Sequence, residues 1–390
     1  MTQCRDHTLA FVIEKPMQVY SPIIEALRFK LDVTAAVYYY GSASQHRRSI
    51  DPETGIRTIW DLNAVKTREP GEYVENSVIG ALRFAWRLHR GRKPAAIILQ
   101  GTRGRFCRTL IAAGSVLGLV ILVRYDAVLN SDDGLVAKIL RKVTLPVVFL
   151  QVKKLGYTGA ETKLYLLEHG ARESQLVEFP YVIDNLWWSA EIKKWREIRD
   201  EERLKVHAQP STMVFLVVAK LISREGASDA VRAFIGSAAS LDDAKLIVVG
   251  DGEQRDAIKA LVPSVFADKV FFLGYVEYKR LPLYFAVADC YVHAAHCEVW
   301  GVSVQEAMVA GLPIIASDRV GSATELIRHG ENGYRFKAGE IEELSVLFAA
   351  ACSNPDRMKA FGRKNMILVD ELSPINVARR LKAVLLKTAS

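Results

Sequence analysis

Cysteines are few and scattered in this 390-residue chain. There are five, which is an odd number, and no two of them have C-x-x-C spacing. This pattern argues against a disulfide framework and favours reduced thiols in a cytosolic compartment. We therefore expect a cytoplasmic protein.

Long apolar runs and targeting signals are also lacking. The longest uncharged apolar run, residues 110–123, falls short of the roughly 20 residues that a membrane-spanning helix needs. We predict that it is a buried helix running into a strand. The first residues, MTQCRDHTLAFVIEKP, carry charges on both sides of a short apolar run, unlike a secretory signal peptide.

Acidic residues are missing from one long interval. The net charge is +8; residues 1–185 hold 25 Lys and Arg against 18 Asp and Glu, and the remainder holds 27 against 26. No acidic residue lies between Glu75 and Asp126. That interval contains Arg83, Arg87, Arg90, Arg92, Lys93, Arg103, Arg105, Arg108 and Arg124.

This basic first half leaves three interpretations open. It is a solvated helix edge, a patch that meets anionic lipid head groups or phosphates, or a nucleic-acid surface. No recognition motif accompanies the charge, so we expect no nucleic-acid partner. An anionic membrane surface stays open as a partner, with the protein peripheral on the inner face of the cell membrane.

Short apolar runs alternate with amphipathic stretches along the whole chain, as in parallel sheets covered by helices. In the first half, helices are expected at 20–30, 76–90 and 105–117. Strands are expected there at 9–13, 33–40, 95–100, 120–125, 147–152 and 176–179. After a charged helical segment the rhythm restarts, with strands at 213–219, 244–249, 270–273, 290–293 and 314–317.

The predicted fold class is α/β, with two Rossmann-like, doubly wound domains that face each other across a cleft. We expect an N-terminal domain at 1–185, a linker at 186–211 and a C-terminal domain at 212–372. Residues 373–390 are expected to form a helix that packs back on the N-terminal domain.

Two glutamates stand out in the apolar stretch HAAHCEVWGVSVQEAMVAGLPIIAS. Glu298 and Glu306 lie on either side of Trp300 and Gly301, and a buried carboxylate is costly unless it is bonded. A helix N-terminus at residue 302 suits a phosphate, and carboxylates on both sides suit sugar hydroxyls. A nucleotide sugar has this arrangement. The alternative is that Glu306 pairs locally and Glu298 caps the helix.

The pattern E-x-W-G-x-x-x-x-E-A-M-x-x-G-L-P-x-I-x-S, followed by GENGYRF, resembles the donor-binding half of the retaining nucleotide-sugar glycosyltransferases of family four, which have the GT-B fold. The resemblance is strongest over residues 213–336. It is weaker in the first half, where FVIEKPMQVYSPIIEAL is similar to the acceptor half of bacterial surface-polysaccharide glycosyltransferases.

The resemblance implies a role for each matched residue. Glu298 would hold hydroxyls of the transferred sugar, Glu306 the ribose, and Lys220 the diphosphate. The backbone N–H groups of Gly301, Val302 and Ser303, at the start of a helix, would hold the phosphates. Tyr275 and Val276 would lie beside the base.

Two positions depart from the family pattern. The family usually has a lysine immediately before Gly226, where this chain has Glu225. A carboxylate there would repel a diphosphate, so we expect Glu225 to point away and Arg224 to substitute. Val299 replaces a glycine or proline, and its β-branch narrows the loop.

The family transfers sugars with retention, and no D-x-D metal motif occurs here. Fixed cations, Lys220 and Arg224, and the helix dipole would then stabilise the leaving diphosphate during front-face attack. We expect no metal and no cofactor, since His293, His296 and Cys297 lack zinc spacing. In the first half, Asp126 is a candidate for orienting or deprotonating the acceptor hydroxyl. Arg124 is expected to bind a phosphate or to pair with Asp126.

The predicted function is a retaining, metal-independent glycosyltransferase. It would move a sugar from a UDP- or GDP-linked donor to a saccharide or lipid-linked acceptor in bacterial surface glycan synthesis. The alternatives are a nucleotide-sugar epimerase of the same fold and an inactive nucleotide-sugar-binding relative, the latter suggested by Glu225 and Val299.

Overall fold

The computed structural model describes residues 8–14, 20–40, 49–50, 57–58, 71–91, 93–127, 134–237 and 243–389. The chain divides into two compact units. Among the described residues, the first unit holds those up to Val182 except a small hairpin, and those from Pro374 onward. The second holds the hairpin and residues from Ile183 to Ser373.

The first unit is built on a sheet of seven parallel strands. Its strands are β1 (Thr8–Ile13), β2 (Thr34–Tyr39), β5 (Glu72–Tyr73), β6 (Ala96–Gln100), β7 (Ile121–Tyr125), β8 (Lys154–Tyr157) and β9 (Leu176–Glu178). Their order in the sheet is β5-β2-β1-β6-β7-β8-β9. Its helices are α1 (Ser21–Lys30), α2 (Val78–Arg90), α3 (Gly104–Val116), α4 (Leu135–Gln151), α5 (Ala160–Glu168) and α15 (Pro374–Ala389).

Helices cover both faces of this sheet, because β6 and β7 are apolar along nearly their whole length. One face packs against α2, α3, α4 and α5. The other packs against α1 and α15, whose Val377, Ala378, Leu381 and Leu385 are buried there. The predicted return of the C-terminal helix to the first half is confirmed.

One predicted strand was wrong. Residues 147–152 lie mainly in the last turns of α4, which continues through Pro146, and the strand follows at β8. The run VVFLQ has strand-like composition, but Leu145 and Phe149 are buried against the sheet at helical spacing. Tertiary packing therefore overrides local propensity. The buried Gln175 amide donates to the carbonyls of Phe149 and Val152, which satisfies the end of the helix.

The second unit has a six-stranded parallel sheet and a two-stranded hairpin formed by β3 (Ser49–Ile50) and β4 (Arg57–Thr58). The sheet strands are β10 (Met213–Val218), β11 (Ala244–Val249), β12 (Val270–Gly274), β13 (Cys290–His293), β14 (Ile314–Ser317) and β15 (Gly333–Phe336). Their order is β12-β11-β10-β13-β14-β15. The α/β class with two Rossmann-like halves is confirmed.

The helices of the second unit pack on both faces of its sheet. They are α6 (Asn185–Arg196), α7 (Arg199–Leu204), α8 (Ala227–Gly236), α9 (Arg255–Ala260), α10 (Leu281–Val287), α11 (Val302–Val309), α12 (Gly321–Leu326), α13 (Ile341–Ser353) and α14 (Pro355–Leu368).

The helices α6 and α7 fall in the segment that we expected to be a linker. Trp188 of α6 is fully buried, and its indole N–H donates to the Tyr278 hydroxyl at 2.6 Å. Arg203 of α7 is buried and pairs with Asp289 at 2.9 Å. These contacts hold both helices on the second unit, since an unpaired buried guanidinium would be costly.

Candidate active site

The candidate site lies at the carboxyl edge of the second sheet, where the strand order changes direction. The strands β11 and β12 lie on one side of β10, whereas β14 and β15 lie beyond β13 on the other. Ligands of open α/β sheets bind at such a switch point. The loop that carries Lys220 follows β10, and the loop that carries Glu298 follows β13, so neighbouring strands deliver both residues to this edge.

The glutamate loop is fixed by backbone bonds to the loop after β14. Glu298 N donates to Arg319 O at 3.0 Å, and Gly321 N donates to Glu298 O at 3.0 Å. Gly301 has a φ of +85°, and a Cβ there would lie 2.9 Å from a Val320 methyl carbon. A glycine is therefore required by both the backbone conformation and the close approach of Val320.

Gly301 is the N-cap of α11, and the first N–H groups of this helix have no partner within the helix itself. The first backbone bond back to the cap comes from Val304 N, which donates to Gly301 O at 3.0 Å. Val302 and Ser303 precede it, so their N–H groups have no carbonyl of their own helix to donate to. An anion at this point would also meet the positive end of the helix dipole.

Glu306 lies inside α11 and is buried, with 4% of its surface exposed. Burial raises the pKa of its carboxyl group to about 8. Burial is also the main reason that the pKa values of the Tyr278 and Tyr291 hydroxyls are raised, and the nearby Glu306 raises them further. No ion pair involves Glu306 among the described residues. The alternative interpretation, in which Glu306 pairs with a nearby charge, is therefore not observed there.

Glu298 is partly exposed. Its Oε1 accepts a hydrogen bond from Trp300 N at 3.3 Å. This contact lies ahead of α11, whose N-cap is Gly301, so Glu298 does not cap the helix as the alternative interpretation required.

Glu225 is buried between the loops that follow β10 and β13, and the expectation that it points away from a bound diphosphate stays a prediction. Its side chain is buried; Oε1 lies 3.3 Å from Nη2 of Arg224, and Oε2 lies 3.9 Å from Nε2 of His293. The cause is local: Gly226 is left-handed, and a Cβ there would lie 1.9 Å from the carbonyl oxygen of Ala294. The β10 loop is thus pressed against the β13 loop, and Glu225 is directed between them.

A group of three potential ligands results, which the sequence did not reveal. One oxygen each of Glu225 and Glu298 and one ring nitrogen of His293 lie within 4.8 Å of one another. The His293 Nε2 atom is buried without a hydrogen-bond partner among the described residues. Burial lowers the pKa of His293, so the ring is neutral at neutral pH, while Glu298 acts in the opposite direction. The signal in the sequence was the placement of His293 at the end of β13.

The histidines of the histidine–cysteine cluster considered from the sequence have separate partners. His296 pairs instead with Asp229 at 2.9 Å. His293 Nδ1 faces the Tyr291 hydroxyl at 2.9 Å, and that hydroxyl donates to Ser303 Oγ at 2.6 Å. This network holds the start of α11 against β13.

The remaining predicted donor residues lie at the same edge. Lys220 is partly buried, two residues beyond the end of β10. Arg224 is about 40% exposed in its side chain, and its guanidinium donates to Cys297 O at 3.4 Å. Tyr275 and Val276 follow β12, two strands from β10, and Tyr275 is 39% exposed.

In the first unit, Arg124 and Asp126 lie at the end of β7 and are linked through Tyr181. Arg124 is buried and donates to Phe179 O at 3.0 Å and to Thr158 Oγ1 at 3.3 Å. Its guanidinium lies 4.0 Å from the centre of the Tyr181 ring, and Tyr181 donates to Asp126 at 2.6 Å. No direct ion pair joins Arg124 and Asp126 in the described part of the chain, which corrects the predicted contact. Arg124 is 2% exposed, its Nη1 atom has no hydrogen-bond partner among the described residues, and its binding of a phosphate stays a prediction.

Sequence comparison identifies a family domain in the second unit. Residues 198–366 match the family model of Glycosyl transferases group 1. An alpha-monoglucosyldiacylglycerol synthase of Acholeplasma laidlawii is 30% identical over 35% of this chain and 34% of its own length. A GDP-mannose-dependent phosphatidylinositol monomannoside mannosyltransferase of Mycobacterium tuberculosis is 29% identical over 43% of this chain and 44% of its own length. The match therefore spans less than half of these curated relatives.

Solved structures extend the similarity in fold to nearly the whole chain. The Anabaena protein Alr3699/HepE in complex with UDP superposes with a TM-score of 0.73 at 16% identity, covering 97% of this chain and 99% of that one. The lipopolysaccharide outer core galactosyltransferase WaaB gives 0.69 at 14% identity over 97% and 99%. The chain therefore has the GT-B fold, and its residues 198–366 form a domain that matches the group 1 glycosyltransferases.

Proposed function

We propose that this protein is a retaining, metal-independent glycosyltransferase. It moves a sugar from a nucleotide diphosphate-sugar to a saccharide or lipid-linked acceptor in bacterial surface glycan synthesis. One observation carries the proposal: Glu298 and Glu306 flank the N-terminus of α11, where Val302 and Ser303 are partly exposed, at the switch point of the second sheet. A diphosphate at that terminus would present a sugar to one carboxylate and a ribose to the other.

The donor roles follow from position. Glu306 accepts from ribose hydroxyls, and Glu298 accepts from hydroxyls of the transferred sugar. Gly301 permits the close approach of the diphosphate, to which Val302 and Ser303 donate their N–H groups. Lys220 and Arg224 neutralise the same diphosphate, and Tyr275 and Val276 lie beside the base. The order of these residues along the sheet edge supports this assignment.

The reaction needs stabilisation of the leaving diphosphate. Lys220 and the dipole of α11 supply it as fixed electrostatic groups, without reorganisation during the reaction. The sugar–phosphate bond breaks and the acceptor oxygen attacks the same face of the ring, so the configuration is retained. In the first unit, Asp126 orients the acceptor hydroxyl and helps to remove its proton, and the bond from Tyr181 fixes the carboxylate.

The acceptor class rests on the relatives. Their names include enzymes that glycosylate a diacylglycerol lipid and a phosphatidylinositol mannoside, and others act on poly(glycerol-phosphate).

The domain assignment, with the acceptor bound by residues 1–185 and the donor by residues 212–372, is part of the proposal. So is a cytoplasmic location at the inner face of the membrane, which the free thiols of Cys107, Cys290 and Cys352 fit. Among the described residues, every helix falls short of the length and apolarity required to cross a bilayer.

A donor panel tests the proposal. The protein is mixed with UDP-, GDP- and ADP-sugars, and the melting temperature and the released nucleotide are measured with and without saccharide or lipid acceptors. We expect one donor to raise the melting temperature and to release nucleotide only when an acceptor is present. Interconversion of the donor sugar without an acceptor would indicate an epimerase, and binding without turnover across the panel would indicate an inactive relative; either result contradicts the proposal.

A further inference from the structure

The helix α4 has a second apolar face that the core of the first unit does not use. Its buried residues, Leu145 and Phe149, pack against the sheet. At 100° per residue, six large apolar side chains lie on the opposite side within an arc of about 100°. They are 54–75% exposed: Val136, Ile139, Leu140, Val143, Val147 and Leu150.

This exposed stripe is long and continuous. From Val136 to Leu150 it runs for roughly 20 Å along the helix, at 1.5 Å per residue. Single exposed apolar side chains are ordinary, but a contiguous patch of this kind marks an interaction surface. A helix that needed only its core contacts would carry polar residues on this side.

The stripe lies in a layer whose outward surface is basic. The helices α2, α3 and α4 cover the same face of the sheet, so their outward sides share one surface. On α2, Ile79, Leu82 and Trp86 are about half exposed, and the Arg90 guanidinium lies 4.7 Å from the centre of the Trp86 ring. Exposed arginines lie on the outward sides of α2 and α3, and two exposed lysines lie on α4 outside the stripe: Arg83, Arg90, Arg105 and Arg108, and Lys138 and Lys142.

Acidic residues are absent from all three helices, as their sequences show. A second copy of the chain bound at this surface would bring like charges together, which disfavours self-association. An anionic bilayer offers both complements: head groups for the cations and the acyl boundary for the apolar stripe.

We propose that the outward surface of α2, α3 and α4 docks on an anionic lipid bilayer, with the α4 stripe inserted at the head-group boundary. The surface is argued from exposure and charge alone. Its use, to bring the first unit to a lipid-linked acceptor, rests on the proposed function.

Vesicle binding of the full chain tests the docking surface. The probes are vesicles of phosphatidylcholine alone and vesicles that also contain phosphatidylglycerol, and the bound fraction is measured by co-sedimentation. We expect binding to the anionic vesicles, weaker binding to the neutral ones, and a decrease as salt rises. Val143→Asp is expected to lower the partition coefficient about tenfold or more, because the docked stripe would then bury a charge in place of an apolar side chain.

The matched control is Val346→Asp on α13 of the second unit. Val346 is 66% exposed and Val143 is 65% exposed, so each variant places a new charge at an equally exposed position. Only Val143 lies in the proposed docking surface, so only Val143→Asp should weaken vesicle binding. Unchanged melting temperatures would show that both variants fold. If Val143→Asp binds vesicles as the unaltered protein does, the proposal is overturned. It is also overturned if light scattering shows a dimer that Val143→Asp dissociates and no vesicle binding occurs.

The two proposals fail separately in this experiment. Nucleotide release from the donor with a small water-soluble acceptor reports on the proposed function without lipid. Vesicle binding with no such turnover would contradict the proposed function and leave the docking surface standing. Turnover without vesicle binding would contradict the docking surface and support the proposed function.

Discussion

Arg224 and Glu225 are neighbours in the chain, and their side chains pair with each other, with Nη2 of Arg224 3.3 Å from Oε1 of Glu225. The buried Glu225 carboxylate therefore competes with the proposed donor diphosphate for the Arg224 guanidinium. If the donor diphosphate lies at the N-terminus of α11 as proposed, the Glu225 carboxylate lies near it, and we predict that Glu225 weakens donor binding relative to a neutral side chain.

Glu225→Gln should consequently tighten UDP binding by about three- to tenfold, which corresponds to roughly 1 kcal/mol. Isothermal titration with UDP measures the change. Glu342→Gln, an exposed position on α13, is the control and should leave the dissociation constant unaltered. Weaker binding by Glu225→Gln would show that the carboxylate supports the donor site instead.

We predict that Glu306 makes nucleotide binding depend on pH. Burial raises its pKa to about 8, so the free folded protein holds a proton there at neutral pH. If ribose hydroxyls donate to the ionised carboxylate, binding expels this proton. The affinity for UDP should then rise by up to about tenfold per pH unit below about 8 and level off above it.

Titration in two buffers of different ionisation enthalpy measures the released proton directly. Glu306→Gln has no carboxyl group to ionise, so this proton release should disappear in that variant. An affinity that is constant from pH 6 to pH 9 in the unaltered protein would contradict the assigned role of Glu306.

The three-residue group formed by Glu225, His293 and Glu298 is the reason to test whether turnover needs a metal ion. It offers two carboxylate oxygens and one imidazole nitrogen within 4.8 Å, which is a donor set that a divalent cation accepts. The proposed mechanism instead relies on Lys220 and the dipole of α11.

Turnover should therefore be unchanged after treatment with EDTA, and added Mg²⁺ or Mn²⁺ should not raise it beyond the effect of ionic strength. The control is His293→Gln, whose response to Mn²⁺ should equal that of the unaltered protein. Activity that EDTA abolishes and Mn²⁺ restores would contradict metal independence.

Much of the fold could be predicted because apolar periodicity is strong in the parallel strands. The strands β11, β13 and β14 fall where the sequence predicted them, since a strand buried on both faces is a short apolar run between turn residues. The run at 147–152 was misassigned because its β-branched residues favour strands, and only the packing of Phe149 shows that it is helical.

The sequence predicted the site residues that lie close together in one segment of the chain. It did not predict the contacts between residues that are far apart in the chain. Glu298, Gly301 and Glu306 lie within nine residues, so their grouping follows from a strand, a loop and a helix in succession. The position of Glu225 depends on the contact of Gly226 with Ala294, which is 68 residues away in the sequence. The exposed stripe of α4 was equally hidden, because a sequence does not state which of two apolar faces is covered.

The most direct test of the central claim is the turnover of Glu298→Ala with the donor that the panel identifies. The account predicts a loss of at least about a hundredfold in kcat/KM, with an unchanged melting temperature and retained UDP binding, since Glu306 and the N-terminus of α11 are intact. Glu342→Ala should behave as the unaltered protein. Full activity in Glu298→Ala would contradict the claim that the two glutamates hold opposite ends of the donor.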